Sequence, residues 1–233
     1  MNNSLPIFYS LERVLLYVCT ISTITIMITS FAEEVVGITP TLTNVETTIN
    51  GTAYRIYRNQ DNTNLLDGIY RKTSRPCPPY CIQPIKANTK VETIGELELI
   101  ENYNKNLIGN KTLLLDVREP EWYLLGSLPG SAQIPLSIIS IAFEQNNLQL
   151  MDKYATNQAT IDVIKSFKLL TNTFNPFLEY PTIIIFSNGN WDSDSYSTIQ
   201  LLINKKYPAE KIHWYRGGVQ DWLGLGFKLT QAR

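Results

Sequence analysis

The sequence predicts an α/β fold, a mainly parallel sheet with helices on both faces, preceded by a small β-rich extension. Three observations predict it. From residue 91 onward, short apolar strand patterns alternate with amphipathic helical ones. The run PTIIIFS at 181–187 is apolar almost throughout, as a strand covered on both faces requires. Residues 33–90 are thinly hydrophobic, and their clearest signal is VETTI-NG-TAYRIYR, two alternating runs joined by Asn50-Gly51. Asn-Gly tolerates the positive φ angles of a type I′ turn, which predicts a hairpin over about residues 45–58.

The elements follow in order. Thr93 followed by Glu96 reads as a capping box opening the helix GELELIENY, and KTLLLDV is a short buried strand. PEWYLLG gives a helical turn ending at Gly126, and SAQIPL a further short strand. Residues 156–171 form a helix with apolar positions at Ile161, Ile164, Phe167 and Leu170. After the strand 181–187 come a helix over 194–206, the strand KIHWY at 211–215 and a helix following Gly217-Gly218. In such a sheet, ligands are expected beyond the strands' carboxyl ends. Ser187 lies at such an end, where a strand-to-helix turn aims N–H groups at one spot and favours an anion.

The chain has 233 residues, 44% hydrophobic, enough for one main core with an appendage. Its net charge is −1 and its 20 basic residues are scattered, so nucleic acid and anionic membrane surfaces lack an electrostatic footprint. Residues 14–29 are free of charge, follow Arg13 and run into Ser30-Phe31-Ala32, the pattern of a secretory signal peptide cleaved after Ala32. The alternative is an uncleaved anchor at 14–29, although that run is shorter than the roughly 20 residues of a membrane span. The predicted organisation is a signal peptide or anchor at 1–32, an extension at 33–90 and the α/β domain at 91–233. The predicted location is the periplasm or an equivalent compartment, with membrane contact only in the anchored case.

Export leaves two cysteines, Cys77 and Cys81, and an oxidising compartment predicts a disulfide between them. They sit in SRPCPPYCIQP (74–84), whose prolines fix φ and make a rigid junction. A cycling dithiol is the alternative, but the spacing is three residues and not two, and stiff prolines favour a fixed clip.

Motifs then carry a resemblance. LLLDVREPEWYLLGSLPGSAQIPL (113–136), with Asp116 and Arg118, resembles the first signature of the rhodanese superfamily. YRGGVQDWLGLGF (215–227), with Gly217, Gly218 and Trp222, resembles its last. The strand, loop and helix at 182–206 fall where rhodaneses carry their reactive cysteine loop. The resemblance spans roughly residues 91–233 and implies a rhodanese-like sulfurtransferase fold. In that family a cysteine attacks a sulfur donor such as thiosulfate, becomes a persulfide and hands sulfane sulfur to an acceptor.

The resemblance places Ser187 at the cysteine position. A serine hydroxyl cannot form a persulfide, and it needs a general base to act otherwise. The sole histidine, His213, falls in mid-strand, which disfavours a hydrolytic serine site. The pocket loop is therefore read as Ser187, Asn188, Gly189, Asn190, Trp191, Asp192 and Ser193, without a catalytic residue and without a cofactor. Asp192 stands where the family often has arginine, and with Asp194 it opposes a dianion. The alternation Asn188, Asn190, Asp192, Asp194 does not complete a calcium loop, because Ser193 and Ile199 replace the required glycine and glutamate. Asp194 or Ser193 is expected to cap the following helix. Asp116 and Arg118 are expected to pair and tie a strand end to loops, and Trp191 and Trp222 to line the pocket or pack the core. The resulting expectation is an inactive sulfurtransferase scaffold kept as a binding or structural module for an unidentified protein or a small anionic ligand. The alternative is a thiol-disulfide enzyme using Cys77 and Cys81.

Overall fold

The computed structural model describes residues 35–171 and 179–231. The signal peptide or anchor at 1–32 lies outside these residues. Among them, no helix is long and apolar enough to cross a membrane.

The hairpin forms as its turn chemistry dictates. Strands β1 (Asn44–Ile49) and β2 (Thr52–Tyr57) pair antiparallel, with Ile49 opposite Thr52, and Asn50 and Gly51 take φ of 49° and 80°. The remaining strands are β3 (Glu92–Ile94), β4 (Thr112–Asp116), β5 (Ala132–Gln133), β6 (Thr182–Phe186) and β7 (Ile212–Tyr215). They form one parallel sheet in the order β3-β7-β6-β4-β5. The two central strands, β6 and β4, are the runs TIIIF and TLLLD, and burial on both faces explains why neither alternates.

Helices α1 (Glu96–Asn104), α2 (Pro120–Tyr123), α3 (Leu136–Glu144), α4 (Gln158–Lys168), α5 (Asp194–Asn204) and α6 (Gly218–Gly224) cover the sheet. One face meets α3, α4 and α5, where Leu115, Ile185 and Trp214 pack with Phe143, Phe167 and Leu202. The other face meets α1 and α6, where Leu114, Ile184 and Tyr215 pack with Leu99, Tyr103 and Trp222. Val45, Ile49 and Ile56 of the hairpin join this second core, so the extension contributes apolar surface that helices alone leave uncovered.

Several local expectations are corrected. Thr93 does not cap α1: it lies on β3, its hydroxyl donates to the Ile85 carbonyl, and the N-cap is Gly95, whose N–H donates to Glu98 Oε2 at 2.9 Å. Helix 156–171 is α4 with a 3-10 turn at 169–171, and its buried stripe runs through Thr160, Val163, Ile164 and Phe167, leaving Ile161 partly exposed. Helix α3 has no counterpart in the sequence reading. Its segment LSIISIAFE is apolar on more than one side and rich in isoleucine, which obscures the helical period.

The hairpin is locked by one side chain. A Cβ at Gly130, where φ is +73°, would fall on the Ile49 side chain, and one at Gly109 would lie 2.7 Å from the Ile49 Cγ2. Both glycines therefore leave room for Ile49, which is 2% exposed. Ile49→Ala removes this wedge from a close-packed site, and the expected loss is about 2–4 kcal/mol of unfolding free energy in a urea titration.

Candidate functional site

The site is built at the carboxyl ends of β4 and β6. Asp116 closes β4, and Arg118 follows two residues later with neither side chain exposed to solvent. The guanidinium reaches back to the carboxylate through Nε at 2.9 and 3.1 Å and Nη2 at 2.6 Å. A buried charge pair is tolerable only when its remaining donors and acceptors are met. Most of them are: Arg118 also donates to the Gly126 carbonyl at 2.8 Å and the Tyr70 hydroxyl at 2.9 Å, and Asp116 accepts from the Ser127 hydroxyl at 2.6 Å. Burial alone would lower the Arg118 pKa, but Asp116 and then Tyr70 raise it, so the cation stays charged.

Direction is forced along the next contacts. Arg118 only donates, so Tyr70 accepts from it and donates its own proton to Asn188 Oδ1 at 2.8 Å. Burial, opposed by Arg118, pushes the Tyr70 pKa up to about 12, which keeps that proton in place. The Asn188 amide nitrogen must then face the other way, and it donates to Asp192 Oδ2 at 2.7 Å. The Asn188 backbone N–H donates to the same oxygen at 3.0 Å, while Asp192 Oδ1 accepts from the Asp194 N–H at 3.0 Å.

Asp192 thus fills the turn with its own carboxylate and is 4% exposed. It also caps α5, replacing the expected Ser193 or Asp194, neither of which makes a side-chain capping bond. Its oxygens face N–H donors, an arrangement for holding an anion and not a cation.

Ser187 ends the strand segment with its hydroxyl 3.0 Å from that of Ser195, which in turn accepts from the Trp214 indole N–H at 3.0 Å. The residue is 1% exposed. His213 neighbours Trp214 on β7 and so projects to the opposite sheet face, where its Nδ1 lies 3.7 Å from Glu92 Oε2. Burial lowers the His213 pKa, Glu92 opposing. No imidazole reaches the serine.

The Gly217-Gly218 turn clamps the loop from beside it. Gly218 has φ +57°, and a Cβ there would collide with the Ser187 carbonyl. This close approach lets the Val219 and Gln220 N–H groups donate to the Ser187 and Asn188 carbonyls at 3.2 and 2.8 Å. Trp222 is buried in the core, stacked on Phe227 with centroids 4.4 Å apart.

Residues 70–85 lie across the loop. The Gln83 N–H donates to the Asn190 carbonyl at 2.8 Å, and Arg216 holds the strap through the Pro84 and Gln83 carbonyls. The Arg75 guanidinium sits 3.5 Å above the Trp191 ring, and Tyr80 meets Trp191 edge-on at 5.4 Å. Tyr80 is the residue just before Cys81 in the loop closed by the Cys77–Cys81 disulfide.

The rhodanese-like domain family matches residues 99–225. The chain belongs to that family. Its parallel sheet flanked by helices is a sulfurtransferase-related fold. Among solved structures, a rhodanese-related protein of Thermoplasma volcanium is 20% identical over 60% of this chain and 97% of its own, with a TM-score of 0.36. A human single-domain sulfurtransferase is 22% identical over 57% of this chain and 96% of its own, TM-score 0.36. A Rhodopseudomonas palustris protein described as a possible tyrosine phosphatase is 14% identical over 62% and 88%, TM-score 0.42. No curated protein matches the sequence.

Around this site the residues that sequence reasoning missed are Tyr70, Arg75 and Gln83 of the extension and Ser195 and Trp214 of the rhodanese-like domain. Tyr70 lies 118 positions from the asparagine it contacts, and no local pattern signals such a partner. Two outcomes are expected. Tyr70→Phe leaves a buried guanidinium N–H and the Asn188 oxygen unpaired, lowering stability by about 1–3 kcal/mol in chemical denaturation. Asp194 has its pKa raised to about 7, by burial first and then by Asp192, Glu119, Asp116 and Glu121. The folded state therefore keeps a proton that the unfolded chain releases near pH 4, and stability from this group falls as pH rises from about 4 to 7. Asp194→Asn escapes that loss, so its melting-temperature advantage over the parent should be small at pH 4 and largest above pH 7.

Proposed function

We propose that this rhodanese-like domain does not transfer sulfur and serves as a binding or structural module, exported to the periplasm or an equivalent compartment. The observation that carries the reading is the Asp192 carboxylate seated among the loop's own N–H donors. An anionic sulfur donor would need those groups and would meet a like charge. Ser187, at the position the family resemblance gives to the nucleophile, supports the reading independently. Its hydroxyl is buried against a second hydroxyl, and the sole histidine, His213, pairs with Glu92 on the opposite sheet face; oxygen cannot carry sulfane sulfur. The apolar run at 14–29 and the cysteine pair support export. Cys77 and Cys81 are read as a structural clip that presents Tyr80 to Trp191.

Purified protein incubated with thiosulfate and cyanide should form thiocyanate no faster than buffer; Ser187-dependent turnover would overturn the proposal. Ser187→Cys alone should remain inactive, because Asp192 still occupies the cradle. Ser187→Cys combined with Asp192→Ala should acquire cyanide-labile sulfur. Full activity in the single variant would show that the cradle is open and the filled-turn account is wrong.

A further inference from the structure

Between the hairpin, the turn after α2 and the start of α4 lies a cavity of about 680 Å³, within the roughly 300–1,000 Å³ typical of small-molecule sites. It shares no residue with the 187–193 loop. Among the described residues its lining includes no Asp, Glu, Lys, Arg or His, and consists of hydroxyls, amides, two tyrosines and a few small or aliphatic side chains.

The polar atoms there are disposed for a ligand that both donates and accepts. Ser127 gives its proton to Asp116 at 2.6 Å, so the 2.7 Å contact between Ser127 and Ser131 is donated by Ser131, whose oxygen keeps its lone pairs at the cavity wall. Asn157 uses Oδ1 to cap α4 through the Thr160 N–H at 3.0 Å, which leaves its Nδ2 donors unpaired among the described residues. Gln158 commits Nε2 to Asp162 at 2.7 Å and keeps Oε1 as an acceptor. Tyr54 from β2 and Tyr123 from α2 add two phenol side chains to the lining.

A charged ligand would find no counter-charge in this lining, and an apolar one would strip water from hydroxyls and amides without replacing it. A ring bearing several hydroxyl groups meets both needs, since each hydroxyl donates and accepts and the ring's C–H face suits a tyrosine. We propose that this cavity is a binding site for a neutral saccharide. The site stands whether or not the 187–193 loop transfers sulfur.

The purified chain would be titrated with maltotriose, xylotriose and tri-N-acetylchitotriose by calorimetry, at low and at high sodium chloride. Saturable binding of at least one trisaccharide is expected, with an affinity unchanged by salt. Tyr123→Phe and Asn157→Asp should each weaken it about three- to tenfold; the second keeps a capping oxygen, because Asp caps as well as Asn. Circular dichroism would confirm that both variants fold. Absence of saturation with all three sugars, binding that weakens steeply with salt, or an affinity untouched by both substitutions would each overturn the proposal.

Discussion

The guanidinium of Arg118 and the carboxylate of Asp116, two residues apart and both out of reach of water, hold together parts of the molecule that share no local sequence logic. Desolvating two charges is expensive, and such a pair persists only where every spare donor and acceptor is used. Meeting that condition draws in Tyr70 from the N-terminal extension, the Gly126 carbonyl after α2 and Ser127 from the turn before β5, while the Gln133 amide donates to the Arg118 backbone carbonyl at 3.1 Å. The strand end, the strap and the neighbouring turn are therefore fixed by one electrostatic requirement.

From that pair, hydrogen bonds run in a forced sense. A cation at one end can only donate and a carboxylate at the other can only accept, so Tyr70 and Asn188 have no alternative orientation between them. The chain ends on Asp192, which supplies the anion that the turn is shaped to hold. The turn's N–H donors are taken up by the Asp192 carboxylate, and the strap bearing Arg75 and Tyr80 packs against Trp191. The same ion pair orients Ser127 and through it Ser131, so the neutral cavity on the hairpin side owes its floor to the same buried charges.

Much of the architecture was legible because it is local. Asn50-Gly51 specifies its turn by φ alone, the runs TLLLD and TIIIF have the uniform apolarity of central strands, and Gly218 sits where only a residue without Cβ fits beside the Ser187 carbonyl. The loop 187–193 was found for the same reason, as a polar turn between a buried strand and a helix. Helix α3 escaped because a segment apolar on several sides has no period to read, and the α1 cap was misplaced because Thr93 was claimed by a strand pairing with β7.

The sequence by itself determined the alternation of strand and helix, the family signature, the absence of a thiol in the loop and the closeness of two cysteines, since each depends on residues within one or two turns of chain. Only the tertiary structure decided what those residues face. The sequence counted Asp192 as a charge that repels; folding turns it inward, where three N–H donors need an acceptor and solvent cannot supply one. The sequence set the extension apart by composition; folding places Tyr70 and Ile49 against residues far along the chain, because a buried guanidinium lacks a partner and a helix-covered sheet face lacks apolar cover until they arrive.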